Sequence, residues 1–302
     1  MTCGRRNPPG RIAYVDGRYL HHGEAGVHVE DRGLQFGDAV YEVCRVENGR
    51  LYDFADHMER LERSLCELSI PRPMSRAALG HVMAEVVRRN RVEFGLVYLQ
   101  VTRGCRRRDF PIPDPPLRPT LIVTAHGLDR EEIARRLREG VAVVTCPDIR
   151  WGRCDIKTTQ LLAGLIAKTS ARRKGAFEAW LVDGDGYVTE GASSNAWIVT
   201  ADRKIVTRDL SRAILPGVTR RVMLEAAAVA NMPVEKRKFT PAEAAGAREA
   251  FLTSSTGPAV PVISIDGAAV GDGRPGPVTK RIAAQYFRRS QSDDDPGDVT
   301  AP

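Results

Sequence analysis

The sequence predicts an α+β protein with mixed sheets in two halves, on three observations. Short runs rich in β-branched and aromatic residues recur, some joined by Asp-Gly or Asn-Gly pairs that favour tight hairpins. Between them lie stretches whose apolar residues repeat at spacings of three and four, the helical period. Strand and helix do not alternate regularly, which argues against a doubly wound parallel sheet. At 302 residues the chain has length for two ordinary domains with real cores.

The elements follow in order. "MTCGRRNPPG" reads as a flexible lead over 1–10, and no apolar signal core is visible in it. "GRIAYVDGRYL" is a hairpin about Asp16-Gly17, and "YEVCRVENGRLYDF" repeats the form about Asn48-Gly49. Met58, Leu61, Leu65 and Leu68 then fall on one helical face. A second helix runs from about Ser75 to Arg91, and "GLVYLQVTRG" and "PTLIVTAHG" are strands. The proline-rich stretch between these strands is a long irregular loop, and such loops are disproportionately functional. A boundary near 126–133 gives a small domain over 11–128 and a larger one over 129–288.

The second half opens with a helix in "DREEIARRLREG" and the strand "VAVVTCPDI". After "DIK" comes an apolar helix, expected to be packed, with a stop at Gly175. "FEAWLVDGDGYVTEG" is a hairpin, "NAWIVTADRKIVT" a strand pair, and a helix begins after Gly217. "FTPAEAAGA" carries a capping box, with Thr240 at the cap, Pro241 at the first helical position and Glu243 three residues on. Strands about "LTSSTG" close the fold, and the polar, acidic tail over 289–302 reads as disordered.

Six cysteines without C-x-x-C spacing and histidines without an H-E-x-x-H cluster offer no metal site or disulfide scaffold. They point to a reducing cytoplasm. No apolar run reaches the ~18–20 residues of a membrane span. The formal charge of +7 suits nucleic acid or anionic small molecules. Arginines spread through predicted helices rather than gathered in a stripe disfavour nucleic acid.

Five features carry the chemistry. Lys157 precedes a helix beside a core, where a lysine is out of place unless its amine is paired or is a nucleophile. Glu190 ends an apolar strand and is followed by Gly-Ala-Ser-Ser-Asn, small residues that let a flat ligand approach. Gly217, Val218 and Thr219 open a helix whose first N–H groups suit an anion. Ser254, Ser255 and Thr256 offer hydroxyls in a turn. Arg60 lies on the helix of Met58 and Leu61. Singly, each has an ordinary role as a cap or a solvated charge. Together they supply what pyridoxal phosphate requires: an amine for the Schiff base, a carboxylate for the ring nitrogen and two anion cups.

The chain resembles the fold-type IV pyridoxal-phosphate aminotransferases, and most closely the D-amino acid aminotransferases, from about Tyr14 to Phe287. The matching blocks are "EDRGLQFGDAVYEV", "HMERLERS", "VYLQVTRG", "DIRWGRCDIKTTQLL", "VTEGASSN", "ILPGVTR" and "FLTSSTG". The resemblance implies a two-domain fold, a small N-terminal α/β domain and a larger mixed-sheet domain that binds pyridoxal 5′-phosphate. It implies Lys157 as the Schiff-base lysine and Glu190 as the ring-nitrogen partner. Arg60, Val218, Thr219, Ser254 and Ser255 fall on phosphate-binding positions, and Leu215 on one packed against the ring. Tyr41 and Val43 match positions lining the substrate site. Arg108 matches an arginine that binds the substrate carboxylate from the partner subunit, which implies a homodimer. Phe110 stands where these enzymes usually carry histidine, so the carboxylate trap loses a donor and gains apolar bulk. Either Arg106 or Arg107 compensates, or preference moves toward hydrophobic substrates or primary amines. The expected activity is transfer of an amino group between a D-amino acid, such as D-alanine or D-glutamate, and a 2-oxo acid. Branched-chain L-aminotransferase, (R)-amine transaminase and aminodeoxychorismate lyase are the alternatives within the fold, and a basic nucleic-acid-binding protein is the alternative outside it.

Overall fold

The structure is a computed structural model that describes residues 10–289. Apart from Gly10 and Arg289, the lead and the tail expected from the sequence lie outside the described residues. The chain divides into two compact units. One runs to Asp129 and takes in Ile156–Gln160, and the other comprises Arg130–Asp155 and the chain from Leu161.

The first unit holds β1 (Ile12–Val15), β2 (Arg18–His21), α1 (Arg32–Phe36), β3 (Ala39–Glu47), β4 (Arg50–Leu51), α2 (Phe54–Glu67), α3 (Arg76–Arg89), β5 (Phe94–Thr102) and β6 (Thr120–Gly127). Its six strands form one sheet in the order β2-β1-β6-β5-β3-β4, with every pairing antiparallel. Both hairpin turns use positive φ at two successive residues, Asp16 at 44° with Gly17 at 90°, and Asn48 at 52° with Gly49 at 73°. That is what a two-residue turn matched to strand twist demands. Ser75 caps α3 by accepting from Ala78 N at 3.3 Å. The two long helices lay Met58, Leu61, Leu65, Met83, Val86 and Val87 against Val40, Cys44, Val97, Leu99 and Val101 of the sheet.

The segment around Lys157 belongs to this sheet. Tyr41 N donates to Lys157 O at 3.0 Å, and Thr159 N donates to Ala39 O at 3.1 Å. An isolated antiparallel bridge joins Val40 to Thr158. These residues cover the end of the β3 edge that β4 leaves unpaired, and Ile156 joins the first unit's core.

The second unit holds α4 (Arg130–Glu139), β7 (Val141–Pro147), α5 (Leu162–Arg173), β8 (Glu178–Val182), β9 (Val188–Gly191), β10 (Asn195–Val199), β11 (Ile205–Thr207), α6 (Val218–Val229), β12 (Val234–Lys236), α7 (Pro241–Ala245), β13 (Glu249–Ser254), β14 (Gly257–Ile265), β15 (Ala268–Ala269) and α8 (Pro277–Arg289). Its mixed sheet runs β12-β11-β10-β13-β14-β7-β8-β9, with β15 on β14. Strands β9, β10, β11 and β13 are buried on both faces, whereas the edge strands β12 and β15 are not. Ile198, Ala250 and Leu252 meet Trp180 and Phe239 on one side. Trp197, Val199 and Phe251 meet Met223 and Ala226 of α6 and Ile282 and Tyr286 of α8 on the other. Neither α1 nor α8 is anticipated from the sequence. The Val278, Ile282 and Tyr286 spacing of α8 is nonetheless helical.

One expectation is overturned. The apolar run of α5 is not ordinary core packing, because Leu162, Leu165 and Ile166 are 70%, 59% and 54% exposed. The buried face of that helix is small, Ala167 and Ala171, and it packs with Val144, Ala179 and Leu181 of the sheet. Small residues let helix and sheet approach closely, and the larger side chains are turned outward. Among the described residues, no helix is long and apolar enough to cross a membrane.

Candidate functional site

The functional side chains form a constellation in each unit. In the first, β3 presents alternate residues to opposite faces. Tyr41 and Val43 are half-buried on one face. The Tyr41 ring stacks on Tyr98 at 5.6 Å, and the Lys157 Nζ sits 4.2 Å from the Tyr41 centroid. Burial, aided by Tyr41, pushes the Tyr98 hydroxyl up to about 12. Among the described residues the Lys157 amine has no carboxylate partner, so it is not committed to an ion pair.

The opposite face of β3 carries Glu42 into the apolar file of Val40, Cys44 and Val46, where an ionised carboxylate needs partners. It has two on α2. Arg60 donates Nε to Oε1 and Nη2 to Oε2, each at 2.8 Å, and His57 Nδ1 lies 2.7 Å from Oε2. Burial alone raises the Glu42 pKa, but the Arg60 charge and hydrogen bonds prevail, and with His57 they hold it well below the usual carboxylate range. Arg60 is thus buried, 8% exposed, where its helix position by itself suggests a surface side chain.

Arg108 and Phe110 lie in the loop after β5. Arg108 sits 4.6 Å over the Phe36 ring and donates to Gln35 O at 3.4 Å. Phe110 packs on Phe36 at 5.4 Å and is 80% exposed. Arg32 anchors the loop, donating to the carbonyls of Asp109 at 2.7 Å and Phe110 at 3.3 Å.

In the second unit, Glu190 on β9 is buried. Arg150 Nη1 donates to its Oε1 and Asn195 Nδ2 to its Oε2 at 2.9 Å. Leu215 N donates to both oxygens at 3.1 and 3.2 Å, and Leu215 O accepts from Asn195. Burial pushes the Glu190 pKa up, Arg150 pulls against it, and the net shift remains upward. Gly217 caps α6 with no side-chain hydrogen bond of its own. A β-carbon there would collide with Asn195 Oδ1, so glycine keeps that approach open. Val218 and Thr219 form the first turn of α6. Asn195 pairs with Thr253 across β10 and β13, which carries the Ser254–Thr256 turn to the same end of the sheet. Ser254 Oγ and Thr256 Oγ1 are 3.0 Å apart.

This donor chemistry fits pyridoxal phosphate. An uncommitted amine suits its aldehyde, and a buried carboxylate suits a cationic ring nitrogen. A helix N-terminus without its own cap, together with hydroxyls, suits the phosphate. Sequence reasoning misses Arg150, Asn195 and the pair of Glu42 with His57. Asn195, the last residue of "GASSN", is the one with a local signal, a short polar side chain opening an apolar strand.

Residues 39–265 match the family described as amino-transferase class IV. The chain is 40% identical over 267 residues to a D-alanine aminotransferase of Bacillus licheniformis, covering 88% of this chain and 93% of that one. It is 37% identical over 279 residues to a D-alanine aminotransferase of Staphylococcus aureus strain MSSA476, covering 92% and 98%. Among solved structures, a branched-chain amino acid aminotransferase of Escherichia coli superposes with a TM-score of 0.88 at 24% identity, covering 97% and 100%. A branched-chain aminotransferase of the archaeon Thermoproteus uzoniensis, solved with norvaline, gives 0.79 at 27% identity, covering 92% and 93%. With Lys157, Glu190 and the α6 cup all falling inside the matched span, the chain belongs to the class IV aminotransferases.

Proposed function

We propose that this chain is a pyridoxal-phosphate-dependent D-amino acid transaminase, exchanging an amino group between a D-amino acid such as D-alanine or D-glutamate and a 2-oxo acid. The observation that carries the cofactor reading is Glu190, a buried carboxylate with its other donors in place. The D-preference rests on 37–40% identity to D-alanine aminotransferases over most of the chain.

Pyridoxal phosphate supplies an aldehyde for the incoming amine and a ring that takes up the electrons released at Cα. Lys157 would hold it through Nζ and, as base and acid, would move the proton at the substrate Cα. Glu190 holds the proton at the ring nitrogen, and Leu215 packs against the ring. Arg60, the N–H groups of Val218 and Thr219, and the hydroxyls of Ser254 and Ser255 bind the phosphate. Tyr41 and Val43 line the substrate site. Arg108 binds the substrate carboxylate, and Phe110 adds an apolar wall in the place of a donor.

We further propose a homodimer in which the Arg108 loop completes the partner's site. The exposed apolar residues of α5 support association with a second copy. The 11–128 domain then carries the substrate loop, and the 129–288 domain carries Glu190 and the phosphate cup. The scattered cysteines support a cytoplasmic setting.

The test offers D-alanine, L-leucine and (R)-1-phenylethylamine, each with 2-oxoglutarate. Turnover of D-alanine is expected. Activity with L-leucine alone would remove the D-amino acid reading, and pyruvate release from aminodeoxychorismate would mark a lyase instead.

A further inference from the structure

Arg150 is assigned no role by the resemblance, and its surroundings are unusual. The side chain is gripped by Asp148, which accepts from Nε at 2.9 Å and Nη2 at 2.7 Å, and from Arg150 N at 3.2 Å. Nη2 also reaches Ala213 O at 3.0 Å and Thr189 Oγ1 at 3.3 Å, and Thr189 Oγ1 donates back to Asp148 at 2.7 Å. Only Nη1 is directed at Glu190. The fork is therefore fixed on one side by a second carboxylate, and its remaining corner is aimed at the residue proposed to hold the ring nitrogen.

Glu190 has about four lone-pair positions. Arg150, Asn195 and the bifurcated Leu215 N–H occupy its two oxygens from this unit. Each oxygen thus accepts from two N–H groups, and a further N–H donor would take the place of one arm of the bifurcated Leu215 contact. The charged and titratable groups acting on it are Arg150, Asp148, Cys154 and, through space, Arg220. Arg220 is turned to Arg208 O at 2.7 Å, and burial lifts the Cys154 thiol to about 11. Arg150 is thus the one cation in hydrogen-bond contact with Glu190 among the described residues.

We propose that Arg150, locked by Asp148, is a positioning residue that keeps Glu190 ionised and oriented, and so determines whether the cofactor's ring nitrogen carries a proton. Removing its charge leaves the buried Glu190 under the influence of the half-buried Asp148 with no cation in contact, which favours protonation of one of the two carboxylates. A protonated Glu190 is a much weaker acceptor for a protonated ring nitrogen, because the bond loses its charge assistance. The inference rests on the pyridoxal-phosphate reading of Glu190.

The experiment reconstitutes wild type, E190Q, R150M and R150K with pyridoxal 5′-phosphate. It follows the visible band against pH, and cofactor affinity by absorbance titration, with circular dichroism of each apoprotein as a check on folding. R150M is expected to move the midpoint in the same direction as E190Q, by about one pH unit or more, and to weaken cofactor binding at least tenfold. R150K keeps the charge without the fork and should fall between wild type and R150M. If R150M does not fold, R150K is read alone, and a shift toward E190Q supports the assignment. Superimposable titrations for the wild type and either folded Arg150 variant, with E190Q shifted, overturn it while leaving the functional reading intact. Failure of the wild type to bind the cofactor at all removes both.

Discussion

Glu42 and Arg60 form a bidentate ion pair inside the first unit's core, two 2.8 Å hydrogen bonds between β3 and α2 with His57 on the second carboxylate oxygen. The pair places a phosphate-binding candidate on the buried face of α2, among Met58, Leu61 and Leu65. It also links stability to function, because loss of Glu42 strands a buried guanidinium.

Glu42→Gln should therefore destabilise the apoprotein by about 3–5 kcal/mol, read by urea unfolding at neutral pH. The sign of the pH effect follows from the depressed folded-state pKa of Glu42. Its stabilisation is complete above the ordinary carboxylate value and is lost as pH falls below it toward the folded-state value. Wild type should lose stability across that acid window, and E42Q should show a flatter acid limb. Parallel curves would mean the pair does not drive acid unfolding.

Lys157→Ala should leave the fold intact and abolish transamination. Lys157 meets β3 through its backbone carbonyl, which alanine retains. The apoprotein melting temperature should stay within about 2 °C of wild type, an expected small effect for a half-exposed side chain. Borohydride should fix cofactor to the wild type and not to the variant. Covalent fixation in K157A would mean another amine carries the cofactor.

Glu190→Gln keeps the shape but not the charge. Turnover should fall about 10²–10³-fold, with a smaller change in KM, because the carboxylate acts where charge develops. A variant with wild-type kcat would remove the ring-nitrogen role.

Arg108→Ala should raise KM for both D-amino acid and 2-oxo acid by roughly tenfold or more, the worth of one charged hydrogen bond, with kcat less affected. Unchanged kinetics would pass the carboxylate role to Arg106 or Arg107. Phe110→His, restoring the missing donor, should lower KM for small D-amino acids more than for large apolar ones.

Leu165→Asp on the exposed face of α5 should halve the particle mass seen in sedimentation while leaving circular dichroism unchanged. A charge on a surface that docks a second copy opposes association. An unaltered dimer would locate the interface elsewhere.

Features governed by a few neighbouring residues were legible from sequence alone. The Asp16-Gly17 and Asn48-Gly49 turns follow from residues that tolerate positive φ. The Thr240 cap accepts from Glu243 N at 3.1 Å, as its spacing requires. Lys157 and Glu190 stand out because their residue types are out of place beside apolar runs. The remainder depended on partners distant in the chain. Arg60 is buried because Glu42 lies 18 residues away on a strand facing it, and Arg150 meets Glu190 across 40 residues. Lys157 joins the first sheet because the β3 edge has unpaired backbone groups there. The outward turn of Leu162, Leu165 and Ile166 is set by how closely Ala167 and Ala171 let α5 approach β8, not by hydrophobicity. Local backbone preference and capping are written in short stretches of sequence. Burial, charge pairing and the choice of which helix face meets the core are settled only when distant segments compete for the same surface.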